Sequence, residues 1–261
     1  MEVSLRGYQQ ESVDALTNYL HRKSGNPLLV LPTGSGKSHC QAGFIQQTLK
    51  RYPNTRILCL THVKELIEQN VEKARLYMPD ADIGIYSAGL GKRELDKPLT
   101  FAGIQSIYNK EFEAPHLVMI DECHLVPKKG DGMYLKLLNR LIEDNPKLKV
   151  IGMTATPFRL RGGVLTGGKG KMFDSVVYDL PIQRLIDEGV LATVVSAEAG
   201  ATIDTSEVKV TAGEYNLKQL GVAADQDHVT AAAVTDLLKH GKGRKSWLIF
   251  CVSVSHAEHV R

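Results

Sequence analysis

The chain has 261 residues, of which 43% are hydrophobic and 23% charged, a composition that excludes a disordered tail, a collagen and a membrane bundle and fits one or two globular domains. Lys and Arg number 32 against 29 Asp and Glu, so the net charge of +3 admits an anionic partner but is far from that of a histone-like binder. Cys40, Cys59, Cys123 and Cys251 contain no C-x-x-C pair, which removes the common zinc and dithiol motifs and points to a reducing compartment. The N-terminus MEVSLRGYQQE lacks the apolar core of a secretory signal, and no apolar run nears the roughly 18 residues of a membrane span; the expectation is a cytoplasmic protein.

In chain order, Tyr8 to Leu20 repeats apolar residues at helical spacing and is closed by Ser24-Gly25-Asn26-Pro27, after which LLVL at 28–31 reads as a buried strand. Ser38 to Leu49 is helical and ends near Tyr52-Pro53-Asn54; RILCLT at 56–61 is the next strand. Val63 to Met78 is a helix with Leu66, Ile67, Val71 and Ala74 facing inward and Lys64 placed to pair with Glu68. LTFAGI at 99–104, LVMID at 117–121 and KVIGMT at 149–154 are further strands, with a helix over Tyr134 to Ile142 between the last two. Strand then helix, repeated, predicts a doubly wound α/β domain with a mostly parallel sheet. Arg159 to Lys171 holds five glycines and four basic residues (Arg159, Arg161, Lys169, Lys171) without an acid, and reads as a mobile loop too flexible to pack tightly. PIQRLIDEGVLA at 181–192 is helix-like, a Thr-rich stretch runs to about Gly213, and SWLIFCVSVSHAEHV at 246–260 reads as a strand entering a helix.

LPTGSGKS at 31–38 ends the first strand and opens the second helix. Pro32 and Thr33 lead into a turn where the N–H groups of Gly34, Ser35, Gly36 and Lys37 can point into one concavity at a helix N-terminus, a cradle for a triphosphate. Lys37 would reach the β and γ phosphates, and the Ser38 hydroxyl would ligate Mg2+. The strict G-x-x-x-x-G-K-[ST] pattern fails at its first position, which is Leu31. Asp121-Glu122-Cys123-His124 follows 84 residues after Lys37, at the tip of the LVMID strand. An acid there suits Mg2+, through water at Asp121, and Glu122 would take a proton from the attacking water. Alone, such a pair commonly just ends a strand in solvent; beside the phosphate loop it gains a role. Lys128, Lys129 and Asp131 carry no clear signal.

Together these motifs resemble the superfamily 2 helicases and translocases with a DEAD/DEAH-type box, in particular the RadD-like DNA-repair ATPases and the ATPase lobes of type III restriction (Res-type) enzymes, from Leu5 to about Val254. The resemblance implies a RecA-like P-loop domain over 1–190, and over 191–261 a crossover and the truncated start of a second RecA-like lobe. It implies that Arg6 and Gln9 in LRGYQQESV read adenine. Thr61 and His62 in CLTHVKELIEQ, with Gln105 and Ser106 in AGIQS, would hold phosphates of one nucleic-acid strand. Thr154 and Thr156 of Thr154-Ala155-Thr156, with His124, would couple the nucleotide site to that groove. The basic loop 159–171 either sweeps phosphates near the groove or is a plain solvent loop. Complete motors carry arginines later in the second lobe that act on the γ-phosphate, and none follows Arg261, so the expectation is a fragment or truncated relative that binds ATP and hydrolyses it poorly.

The expected function is an ATP-dependent DNA helicase or translocase-type motor, in DNA repair or processing, with ATP and Mg2+ as cofactors, DNA as the partner favoured over RNA by the RadD-like resemblance, and no membrane. A slow ATP-binding module that holds nucleic acid or protein is the alternative. A small-molecule kinase is weaker, because no acceptor-site lid is evident.

Overall fold

A computed structural model of the chain describes residues 4–127, 130, 132–159, 163–168, 170–195, 200, 202–211 and 214–261. The chain divides after Ala192 into two units, Met1–Ala192 and Thr193–Arg261. The first contains α1 (Gly7–Arg22), β1 (Pro27–Val30), α2 (Lys37–Arg51), β2 (Ile57–Thr61), α3 (Lys64–Tyr77), β3 (Ile83–Ser87), β4 (Lys92–Arg93), β5 (Leu99–Gly103), α4 (Ile104–Ile107), β6 (Leu117–Asp121), α5 (Met133–Asp144), β7 (Lys149–Thr154), β8 (Phe158–Arg159), β9 (Gly163–Val164), β10 (Ser175–Asp179) and α6 (Ile182–Asp187). The second contains β11 (Val210–Thr211), β12 (Glu214–Tyr215), α7 (Leu217–Ala224), α8 (Asp227–His240) and α9 (Val254–Val260).

Eight strands of the first unit form one sheet in the order β10-β1-β7-β6-β2-β5-β3-β4, parallel except for the short β3–β4 pair. The five apolar runs seen in the sequence are β1, β2, β5, β6 and β7, which form the sheet's centre, where both faces are covered. Alternation along them sorts two cores. Leu29, Leu31, Cys59, Met119 and Ile151 pack with Val13 and Leu16 of α1, Phe44 and Ile45 of α2, and Ile67 and Val71 of α3. Leu28, Val30, Leu60, Ile120 and Val150 pack with Leu137, Leu138 and Leu141 of α5. Each fully buried leucine contributes about 1.5–3 kcal/mol relative to exposure. β10 is only partly buried at the edge, and β3 (IGIYS) interrupts its apolar residues with Gly84, so neither shows a continuous apolar run.

Several expectations are corrected. Lys64 approaches Glu65 at 3.7 Å rather than Glu68, and Leu66 is half-buried while Asn70 takes the inward position. The helix expected over 181–192 ends at Asp187, because Gly189 turns at φ +67° and the following amides fold back onto the Leu185 carbonyl. The stretch 159–171 is not wholly loose: β8 and β9 pair, Leu165 is buried, and Lys171 Nζ donates to the Thr166 carbonyl at 2.8 Å. Arg161 and Lys169 of that stretch, and Lys128, Lys129 and Asp131, lie outside the described residues. No strand forms over 246–250; Leu248 and Phe250 are 80% and 88% exposed, and an apolar run becomes a strand only beside a hydrogen-bonding neighbour. The helix that follows is present as α9.

α1 and α6 are clamped by Arg184, which meets both Glu11 carboxylate oxygens at 2.6 and 2.7 Å while Tyr178 donates to Glu11 at 2.9 Å. These donors hold the Glu11 pKa down at about 2 against an ordinary 4.5. A depressed carboxylate stabilises the fold above its unfolded pKa and loses that contribution as pH falls from about 4.5 towards 2. Glu11→Gln is therefore expected to melt below wild type at neutral pH, with the gap closing in acid. A pH-independent gap in thermal melts would refute the clamp's role.

Candidate functional site

Because the central strands are parallel, the carboxyl ends of β1, β7, β6, β2 and β5 share one edge, the usual place for ligands in an open α/β sheet. Val30 pairs with Thr154, Asp121 with Met153, Leu60 with Ile120 and Thr61 with Gly103, so every residue singled out from the sequence near a strand end lies along that edge.

The turn after β1 is tight. Ser35 N–H donates to the Pro32 carbonyl at 3.2 Å, and Gly34 and Gly36 take φ of +84° and +80°. A Cβ at Gly34 would stand 2.7 Å from Leu191 Cδ2, and one at Gly36 2.6 Å from Gln9 Nε2, both ends of side chains that can shift, so it is the left-handed backbone that calls for glycine at both positions. Among the described residues, the N–H groups of Gly34, Gly36, Lys37 and Ser38 donate to no other backbone group, and α2 has no acid in its first turn. Free amides at a helix start, with Lys37 among them, are donors that could hold a phosphate. Thr33 is exposed at the lip, Pro32 is buried below it, and Ser35 Oγ is buried without a partner.

Arg6 and Gln9 reach this turn from α1. Gln9 Oε1 accepts from the Arg6 N–H at 2.9 Å, and its Nε2 donates to the Ser35 carbonyl at 2.9 Å, joined there by Tyr8 OH at 3.1 Å. One amide hydrogen and one lone pair of Gln9 are left for a further partner. The Arg6 side chain is exposed.

The acidic pair converges on the same turn. Lys37 Nζ lies 3.1 Å from Glu122 Oε1, and Glu122 Oε2 lies 3.3 Å from His124 Nδ1. His124 Nδ1 is also 3.0 Å from Thr154 Oγ1, which accepts from the Thr156 N–H at 3.1 Å, while the Thr154 carbonyl accepts from the Leu31 N–H at 2.9 Å. One connected chain thus runs from Lys37 through Glu122 and His124 to Thr154 at the end of β7 and back to Leu31 at the base of the turn. Among the described residues Glu122 is the one non-glycine at positive φ, +49°, a conformation that costs energy and gathers at functional sites. No sequence signal announces it.

Asp121 is 8% exposed and accepts from the Glu122 N–H at 3.0 Å. Burial, then the neighbouring Glu122 charge, push its pKa up; Lys37, that N–H and the Asn70 side chain push back. Asn70 was not anticipated: a single polar residue on an inward helical face carries no motif. A divalent cation fits this donor set as a hard ion, with Asp121 and the Ser38 hydroxyl as oxygen donors. No group of three or more His, Cys, Asp or Glu is present among the described residues, so phosphate and water would complete the coordination.

Thr61, His62, Gln105 and Ser106 lie apart from this constellation, further along the same edge at the ends of β2 and β5. Gln105 Nε2 donates to the His62 carbonyl at 3.1 Å, and Ser106 Oγ accepts from the Ala88 N–H at 2.9 Å, leaving its own O–H to give. Thr61 Oγ1 and His62 Nδ1 are buried without partners.

The family profile described as "Type III restriction enzyme, res subunit" matches residues 2–159, more than half of the chain. The chain belongs to that family. As a res-family chain it is a superfamily 2 helicase-type ATPase lobe, and similar proteins agree. It is 26% identical to the IRC3 protein of Saccharomyces cerevisiae, named as an ATP-dependent helicase, over 97% of this chain and 38% of that protein. It is 27% identical to a Schizosaccharomyces pombe protein named as a mitochondrial ATP-dependent helicase, over 98% of this chain and 42% of that protein. The fold is that of the Type ISP restriction-modification enzyme LlaGI, solved with a DNA substrate mimic, at TM-score 0.55, 14% identity, and 72% and 21% coverage of the two chains. The res-family chain thus spans about two fifths of the length of the curated relatives it matches.

Proposed function

We propose that residues 1–190 are the Mg-ATP-binding and hydrolysing lobe of an ATP-dependent DNA helicase or translocase, and that residues 191–261 are the crossover and the start of a second RecA-like lobe. The observation that carries the reading is the Lys37–Glu122–His124–Thr154 chain, which joins the phosphate turn to a strand end. Lys37 is paired with Glu122 at 3.1 Å. Entering phosphates take up the free amides of the turn and draw Lys37 away, so the Glu122 carboxylate is released to accept the proton of an attacking water. His124 stays within reach of Glu122 and Thr154, and its choice between them reports the change to the end of β7. Ser38 and Asp121 would hold a magnesium ion, which would supply charge neutralisation to the phosphates.

Thr61, His62, Gln105 and Ser106 supply mostly neutral donors for backbone phosphates, which fix register without reading bases. LlaGI was solved with a DNA mimic, which favours DNA as the polymer. A place in DNA repair or processing follows the sequence resemblance, and one in the cytoplasm follows the reading of the N-terminal segment; no helix among the described residues is long and apolar enough to cross a membrane. The full motor cycle is proposed for the whole protein, given how much longer the relatives are.

The test is the ATPase rate with and without single-stranded DNA. Stimulation above the background of a Lys37→Ala preparation is the expected result. A flat response with nucleotide binding intact would favour a slow ATP-binding module instead.

A further inference from the structure

The amino ends of the parallel strands form the sheet edge opposite the phosphate turn, and a cavity of about 430 Å³ opens there between the last turns of α1 and α2. Ile57, Leu117 and Lys149 begin β2, β6 and β7 side by side in register. Leu20 of α1, Phe44 of α2 and Leu117 belong to the core on that face and give the cavity an apolar floor. Its walls are cationic: Arg51, Lys149, His21 and His116 line it, and among the described residues no carboxylate does. Neither Arg51 nor Lys149 pairs with an acid among the described residues, whereas nearby Arg56 is neutralised by Glu113 at 3.0 Å.

The helix dipole explains part of this charge, since His21 and Arg51 lie in the last turns of α1 and α2, where a positive side chain meets exposed carbonyls. It does not explain Lys149 or His116, which start one strand and precede another. Both are held in place. Lys149 Nζ donates to the Ser24 carbonyl, which leaves two of its three N–H groups to give. His116 Nδ1 accepts from the Arg56 N–H at 2.9 Å, so the ring hydrogen sits on Nε2 and that nitrogen is a donor. Arg51 Cζ stands over the Tyr52 ring, 5.6 Å from its centre, a planar fork of donors beside an aromatic face that is 49% exposed.

We infer that this cavity binds a small organic anion, with one carboxylate or phosphate group held by Arg51 and Lys149 and a flat apolar body seated on Leu20, Phe44 and Leu117. Its volume falls within the roughly 300–1,000 Å³ of small-molecule sites, and an apolar floor with a few convergent polar groups is their usual make-up. The 15 residues of α2 separate Arg51 from the phosphate turn by roughly 20 Å at about 1.5 Å per residue, so the site is distinct from the nucleotide site and does not rest on that reading.

The experiment is calorimetric titration of the full chain with 2-naphthoate, 2-naphthyl phosphate and the neutral 2-naphthamide, each with and without excess non-hydrolysable ATP analogue and Mg2+. Saturable one-to-one binding of an anion is expected, unchanged by the nucleotide analogue, and the tighter of the two anions identifies the head group. The amide should bind at least about tenfold more weakly, and Arg51→Gln should weaken the anion by about 10- to 100-fold while melting like wild type. Lys149→Gln carries the same expectation for affinity and serves where the first variant fails to fold. No saturable binding of either anion, an amide that binds as tightly as they do, competitive displacement by the nucleotide analogue, or wild-type affinity in the folded variants overturns the inference.

Discussion

Glu122→Gln is expected to bind Mg-ATP at least as tightly as wild type and to hydrolyse it about 10²- to 10⁴-fold more slowly, the range for removal of a general base. Glutamine keeps the shape and can still approach His124, but it cannot take a proton from water. It also no longer holds Lys37 by charge. Lys37 Nζ is 3.1 Å from Glu122, so the carboxylate and an incoming phosphate compete for the same ammonium group. Neutralising Glu122 removes this competitor, so nucleotide affinity should be unchanged or better while turnover falls. Single-turnover hydrolysis with a parallel nucleotide titration separates the two effects. Equal loss of binding and turnover would remove Glu122 from the role of base.

Lys37→Ala is expected to act on binding itself. A charge-assisted contact is worth about 1.5–3 kcal/mol, which is roughly a 10- to 100-fold loss of ATP affinity, and hydrolysis should fall further because the γ-phosphate is no longer held. The same substitution leaves Glu122, with a side chain 24% exposed, without its lysine, so its charge relies on His124 and solvent. A modest drop in melting temperature is expected beside the loss of affinity. Wild-type ATP affinity in a folded Lys37→Ala chain would mean that the turn at 31–38 does not hold phosphate.

Much of the central sheet was legible because buried parallel strands are apolar at every position: PLLV, ILCLT, LVMID and KVIGMT announce themselves by composition. The phosphate turn was legible because glycine at 34 and 36 meets a requirement of backbone geometry that shows directly as residue type. Asp121 and Glu122 were legible only as a pair beside that turn. The strand expected at 246–250 shows the limit of the same rule, since an apolar run states a wish to be buried and not what will bury it.

Local pattern in the amino-acid chain thus determined which segments are strands and helices in the core and which residue types sit at their carboxyl ends. Tertiary structure decided what those ends meet. Strands β1, β7, β6 and β2 are neighbours in the sheet but are scattered along the chain, so no spacing reveals that Lys37 touches Glu122 or that His124 reaches Thr154. The left-handed turn at Glu122 belongs to the same class. Its carboxylate meets Lys37 of α2 and His124, and a glutamate carries no mark in the sequence of the backbone angle it will adopt.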